Sequence, residues 1–401
     1  MKKGLLGSTA LVGATAMMAG AAGAAEAPTW KLTGNMNFQA YYVDQDFTGF
    51  HTSYLNIGGV TKMTSFPIKN ALGSSSITTT TGGVLVQFRS GDRLGVQDHG
   101  WYFGVDEAEL QLNVAGTADN GLNYGFKIEI NANTTDTKVA DEARLQLSGG
   151  WGTLQMGDED GAEDIMNYGG ENLMGATGGF DGDQDDVLIR GANNATSYPT
   201  IAGDTSDSTK LSYFSPRFSG FQVGASLTPN PSLNGDNFKQ DGAFENHYGL
   251  GANYDNSFGG VRVRASAVYS AASSNNAGRE DIGAYSVGAI VGFGPVSVGA
   301  NYTDNSDSGA ATGSGDDSTY WDVAASFETG PLYLSVGYLS STYEFGGGGE
   351  DTFDNISLTA DYSVAPGLGV YAELQMISDD PTGTFFDNDA TIFIAGANVS
   401  F

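Results

Sequence analysis

The sequence predicts an all-β chain, a transmembrane antiparallel β-barrel of 16 strands, and three observations predict it. Apolar and polar residues alternate with period two in segment after segment, so each strand has one apolar and one polar face. The connections alternate between tight turns and long polar loops, as they do when turns line one rim and loops the other. Beyond the N-terminal region no segment supplies the run of about 18 apolar residues that a spanning helix needs, so any membrane crossing must use strands.

The chain has 401 residues, with 17 Lys+Arg against 47 Asp+Glu, 59 Gly and no Cys. Absent cysteine excludes disulfide scaffolds, thiolate metal sites and cysteine nucleophiles. A formal charge of −30 excludes a nucleic-acid-binding face, which needs clustered Lys and Arg. With 40% hydrophobic and 11% aromatic residues the chain has too much to bury for disorder.

The elements follow in order. Residues 1–25 read as a signal peptide: Lys2 and Lys3 open it, a weakly apolar run follows, and small residues crowd Ala21 to Ala25 before Glu26. The barrel then occupies 26–401. Trp30, Leu32, Met36, Phe38, Ala40 and Tyr42 form the first apolar face. Ala108 to Val114, Leu122 to Ile130, Ala143 to Leu147 and Leu154 to Met156 repeat it, with Glu107, Glu109, Lys127, Glu129 and Arg144 on the polar side. Leu211 and Tyr213, then Phe221 to Leu227, give the sixth and seventh strands. Four hairpins carry the pattern on, Tyr248–Tyr254 with Val261–Tyr269, Tyr285–Phe293 with Val296–Tyr302, Trp321–Phe327 with Leu332–Tyr338 and Ile356–Tyr362 with Val370–Met376, and a final run, Phe393–Phe401, ends the chain. The even count lets the sheet close with both ends on one side. Tyr254, Tyr269, Tyr302, Tyr338 and Tyr362 end apolar faces, where an aromatic girdle meets lipid headgroups. Polar inward positions under an apolar exterior predict a water-filled lumen in lipid.

Tyr213-Phe214-Ser215-Pro216-Arg217-Phe218-Ser219-Gly220-Phe221 resembles the Y-x-S-P-x-F-x-G-F turn of Gram-negative general porins. The terminal Phe401 resembles the assembly signal of outer-membrane barrels, and Trp151 to Asp158 resembles the strand leading into the third loop of those porins. Gly34 to Tyr41 and Gly157 to Asp164 are similar to the alphaproteobacterial branch. The resemblance covers nearly all of the mature chain. It implies a homotrimer of sixteen-stranded barrels in the outer membrane of a Gram-negative bacterium, each with an inward-folded third loop. Its implied partners are outer-membrane lipid and lipopolysaccharide, the barrel-assembly machinery through Phe401, and small hydrophilic solutes. One departure is the long first loop, 45–99, where Leu55, Ile57, Val84, Val86 and Phe88 allow either an extracellular hairpin or an added strand pair making 18.

The loop expected at 158–209 is acidic from its start, with Asp158, Glu159, Asp160, Glu163, Asp164 and Glu171 and no basic residue before Arg190. Folded into a narrow pore, these carboxylates would form a constriction that attracts cations, facing Lys127 and Arg144 on the wall, with Lys31, Arg262 and Arg264 as weaker wall candidates. Asp181, Asp183 and Asp185 alternate as Ca²⁺ ligands do, but Asp186 and Ala192 stand where an EF-hand needs Gly and Glu, so no cofactor is expected and weak Ca²⁺ binding is the alternative. No catalytic motif is present, and His51, His99 and His247 read as lining or loop residues, so no enzyme is expected. The function expected is a passive outer-membrane channel for small hydrophilic solutes, weakly cation-selective. Its alternatives are a solute-specific channel gated by the first loop, and a secreted acidic Ca²⁺-dependent adhesin.

Overall fold

The computed structural model describes residues 26–48, 50–57, 60–67, 76–77, 86–87, 99–132, 140–180, 183–190, 193–231, 243–382 and 387–401, and within 47–98 it gives only the course of the strands. The expected signal peptide and Asp181 lie outside the described residues.

Numbered along the barrel, the strands are β1 (Glu26–Thr48), β2 (His99–Gly104 continued by Ala108–Thr117), β3 (Asn123–Asn131), β4 (Ala140–Gly149), β5 (Gly152–Asp158), β6 (Thr209–Phe214), β7 (Phe221–Thr228) and β8 (Phe244–Phe258). The series continues with β9 (Val261–Ser274), β10 (Ile282–Phe293), β11 (Val296–Ser306), β12 (Asp317–Thr329), β13 (Leu332–Glu344), β14 (Glu350–Ala365), β15 (Leu368–Asp380) and β16 (Asp387–Ser400). Each pairs antiparallel with the next, and β1 pairs with β16 on one edge and β2 on the other, which closes the sheet. The sixteen staves match the alternation in the sequence. Phe401 completes the seam: its backbone N–H donates to the Gly34 carbonyl at 3.0 Å.

The first loop adds no stave. Its hairpins, Phe50–Ile57 with Val60–Pro67 and Ser76–Ile77 with Val86–Gln87, form two small sheets outside the barrel ladder, so the eighteen-strand alternative is excluded. The loop is also shorter at its start than 45–99, because Gln45 to Thr48 still pair with Asp387 to Ala390 in β16.

The second stave contains a bulge that the periodicity did not show. Gln39 faces Gly104 and Met36 faces Ala108, so one extra residue is inserted at 105–107 opposite Asn37 and Phe38. The insertion reverses which parity points outward, from Trp101 and Phe103 before it to Leu110 after it. A bulge of this kind bends the strand and re-aims its side chains.

The barrel is apolar outside and polar inside. On β1, Trp30 is 72% exposed and Phe38 52%, whereas Asn37 is 5% and Gln39 0% exposed. Leaving a Leu or Phe in water forfeits roughly 1.5–3 kcal/mol each, so this exterior is matched to hydrocarbon. Its aromatic residues form two belts. Trp151, Tyr213, Phe221, Phe258, Phe293, Phe327 and Tyr362 lie at the short-turn rim, and Trp101, Tyr248, Tyr269, Tyr285, Tyr302 and Trp321 nearer the loop rim. On β10 the step from Phe293 to Tyr285 is roughly 26 Å along the strand at ~3.3 Å per residue, or about 20 Å once a tilt of ~40° is allowed. That is close to the height of a membrane band. Tight turns make the narrow rim possible, as at Gly259 and Gly260, where φ values of 56° and 87° need no Cβ.

Candidate pore constriction

The described residues between β5 and β6, 159–180, 183–190 and 193–208, lie inside the barrel and are fastened to its wall, largely through backbone amides. The chain leaves β5 and forms a single helical turn at Ala162–Ile165 against β7 and β8, where the Ala162 N–H donates to Ser226 Oγ. Moving round the wall, Tyr168 N–H donates to Ser266 Oγ at 2.8 Å, Glu171 N–H to Asp322 Oδ1 at 3.2 Å, and Gly175 N–H to Ser335 Oγ and Thr359 Oγ1, each at 3.1 Å. Ala176 N–H reaches both oxygens of Asp361, and Thr177 donates its N–H and its hydroxyl to Glu373. The chain then meets β1, where Gln39 donates to Asp183, Tyr41 to Asp186, and Gln45 to the Val187 carbonyl at 2.8 Å.

It returns nearer the loop rim. Asn193 donates to Thr352 and Asp379, Asn194 to Asp351, Ala202 N–H to Asn305 Oδ1, and His247 Nδ1 sits 3.3 Å from the Gly203 carbonyl. The loop therefore covers the wall from β7 round to β1 and leaves β2 to β5 facing the open part of the lumen.

Two features of the wall make room for this path. Inward glycines stand where the loop backbone and its larger side chains approach. A Cβ on Gly288 would strike the Tyr168 carbonyl, and one on Gly337 would come within 2.6 Å of Met174 Sδ and of the Phe180 ring. The second feature is apolar. Leu173, Met174, Phe180, Val187 and Leu188 of the loop pack with Tyr41, Val43, Ile290, Leu339, Phe353, Ile392 and Ile394 of the wall, most of them fully buried. The expected uniformly polar interior is thus corrected on this side: a dry core glues the loop down, and burial of one such side chain is worth roughly 1.5–3 kcal/mol.

The predicted site residues separate into groups. Asp158 ends β5 and accepts the Thr209 hydroxyl. Glu159 pairs with the Arg144 guanidinium, which joins an expected loop acid to an expected wall base. Asp160 acts through space on Arg144 and on Lys210. Glu163 is turned into the wall, 2% exposed, accepting Ser226 Oγ at 2.8 Å. Burial pushes its carboxyl up to about 7, against the stabilising bonds from its own backbone and Ser226. Asp164 and Glu171 are half-buried in the outbound course. Lys127 turns to its own wall, with Glu142 Oε2 at 2.5 Å and Glu129 Oε2 at 2.7 Å. Arg264 lies 5.4 Å over the Tyr168 ring, Arg262 pairs with Asp255 at the short-turn rim, and Lys31 is exposed. Asp183 and Asp185 are engaged by Gln39 and Ser197.

The periodicity did not reveal the wall carboxylates Asp322, Asp351, Asp361, Glu373 and Asp379, four of which are at most 1% exposed. One signal was available: no Lys or Arg follows Arg279, so the wall from β10 to β16 carries no basic side chain. Among the described residues its acids meet loop amides, neutral side chains such as Thr177 and Gln375, and Arg190, the latter 3.5 Å from Asp379.

A family model described as Gram-negative porin matches residues 7–384. No curated protein matches the chain. Among solved structures, a loop L8 deletion mutant of OmpT from Vibrio cholerae superimposes with a TM-score of 0.60 at 16% identity, covering 94% of this chain and 100% of that one. An anion-selective porin from Comamonas acidovorans gives 0.58 at 15%, with 94% and 100% covered. The trimer form of Vibrio cholerae OmpT gives 0.57 at 14%, again with 94% and 100% covered.

Proposed function

The chain belongs to the Gram-negative porin family, which makes it an outer-membrane channel for passive diffusion, and from that premise we propose that its pore prefers cations. The observation that carries the preference is the charge of the lumen. On the open side Glu109, Glu129, Glu142 and Glu159 accompany Lys127 and Arg144, each base held by carboxylates, and behind the docked loop β12, β14 and β15 add buried carboxylates with no Lys or Arg after Arg279. A narrow, acidic, water-filled passage with low-dielectric walls concentrates cations and repels anions. Small hydrophilic solutes pass between the docked loop and the wall of β2 to β5, which is lined by Glu109, Glu129, Glu142 and Gln146.

The working unit is a homotrimer exported by the N-terminal signal, a reading supported by the trimeric OmpT neighbour and by the apolar exterior of every stave. Fold likeness does not transfer ion preference, because the Comamonas neighbour is described as anion-selective. Charge within the lumen decides it. Replacing Asp158, Glu159 and Asp160 together by Asn, Gln and Asn lowers cation preference in a salt gradient. Unchanged reversal potentials in that variant remove these loop carboxylates from the selectivity mechanism.

A further inference from the structure

Beneath the docked loop, at the short-turn mouth, β1, the β2 bulge and the ends of β12 to β16 line a partly open cavity of about 80 Å³. Its lining includes Asn37, Asp106, Glu328, Tyr333, Asp361 and Tyr371. None of its lining residues is basic. The volume holds on the order of six waters, too many for a bare ion and enough for an organic ion of a few heavy atoms.

Two polar atoms of this lining have no hydrogen-bond partner among the described residues. They are the Tyr371 hydroxyl, on a side chain 9% exposed, and Asn37 Oδ1, on one 5% exposed. Buried polar atoms left unpaired are costly, and a folded protein supplies them with partners or ligands. Both atoms can accept a hydrogen bond. The carboxylates of Asp106, Asp183, Glu373 and Glu107 act on the Tyr371 phenol through space.

The site is built by backbone features. The extra residue at 105–107 places Asp106 at the bulge opposite Asn37, whose N–H donates to the Glu107 carbonyl at 2.8 Å. The Tyr371 ring lies over Gly396, where a Cβ would collide with it. Asp361 is fixed by the Ala176 N–H at 2.9 and 3.0 Å.

We propose that this cavity binds a small primary alkylammonium ion as it leaves the constriction on the short-turn side. The ammonium N–H groups meet Asn37 Oδ1, Asp106 and the Tyr371 oxygen, and the alkyl part lies against the faces of Tyr333 and Tyr371, where aromatic rings favour a cation. The proposal rests on the cation-preferring channel and adds to it a saturable station for one class of solute.

The probe is ethylammonium, applied to bilayer-reconstituted trimers from each side in turn, and titrated calorimetrically into detergent-folded protein at fixed ionic strength. Expected is a saturable fall in K⁺ current, stronger from the short-turn side, with no effect of ethanol. Tyr371→Phe and Asp106→Asn, each checked for heat-modifiable gel mobility, raise the half-blocking concentration and the calorimetric Kd at least fivefold. A non-saturable response, or both variants matching the parent, overturns the site. Reversal toward K⁺ without saturable block sinks this inference alone. Reversal toward chloride sinks the cation preference, and calorimetry then decides the site by itself.

Discussion

The Arg144 guanidinium on β4 pairs with the carboxylate of Glu159, the first residue of the inward loop, and this pair joins the loop to the charged side of the wall. Because each partner neutralises the other at the entrance to the open lumen, removing one exposes the other's charge. Arg144→Gln is expected to move the reversal potential further toward K⁺, and Glu159→Gln to move it toward chloride. The double variant returns close to the parent. Reversal potentials of the three in one KCl gradient check this, and two single variants moving in the same direction would contradict it.

Phe180 is fully buried between the loop and the wall residues of its apolar cluster. Truncation of a buried Phe to Ala costs about 3–5 kcal/mol. Here the loss falls on loop docking, since Phe180 packs loop to wall and belongs to no stave. Phe180→Ala is expected to raise single-channel conductance and its open-state noise while the barrel keeps its sheet content by circular dichroism.

Gly288 tests the groove by the opposite route. A methyl there meets the Tyr168 carbonyl, whereas one at Gly347 meets nothing within 4 Å. Gly288→Ala is expected to displace the outbound course and change conductance, with Gly347→Ala matching the parent. Equal conductance in all three would show that the loop does not rest on this glycine.

The Glu163 carboxyl, raised to about 7 by burial from an ordinary 4.5, links loop docking to pH. A carboxyl whose pKa is higher in the folded state favours that state while protonated. Its contribution is full below about 4.5, declines above that, and is gone once pH passes 7. The parent is therefore expected to lose more heat stability than Glu163→Gln between pH 4.5 and 7.5. Comparing the two chains cancels the general effect of the acidic composition, and parallel pH profiles would contradict the assignment.

Much of the barrel was legible because lipid outside and water inside impose opposite demands on neighbouring residues, and Val291, Phe293 or Leu334 announce the outward face at every second position. Legibility failed where that rule was broken. His99–Gly104 went unread because the bulge at 105–107 reverses the parity, so Trp101 and Leu110 do not share one alternation. Ile290 and Ile394 went unread as loop anchors because they sit between outward apolar neighbours and look like uninterrupted hydrophobic runs, and Leu339 and Ile392 because each adjoins one outward aromatic residue. In the site, Arg144 and Glu159 were legible as opposed charges. Lys127 stands opposite Arg144 in the ladder and is held by Glu129 on its own strand and by the diagonal Glu142, an arrangement that depends on a register the alternation does not record. The amide-to-carboxylate fastenings of Asp322, Asp361 and Glu373 depend on loop backbone direction, which no side-chain pattern records.

The central claim is a trimeric diffusion channel whose acidic lumen favours cations, and the reversal potential of purified, detergent-folded protein in a planar bilayer under a KCl gradient tests it most directly. Stepwise openings in groups of three, reversing on the K⁺ side, are the predicted result. Openings that reverse on the chloride side would contradict the assigned role of the wall carboxylates, and a correctly folded sample that never conducts would contradict the channel itself.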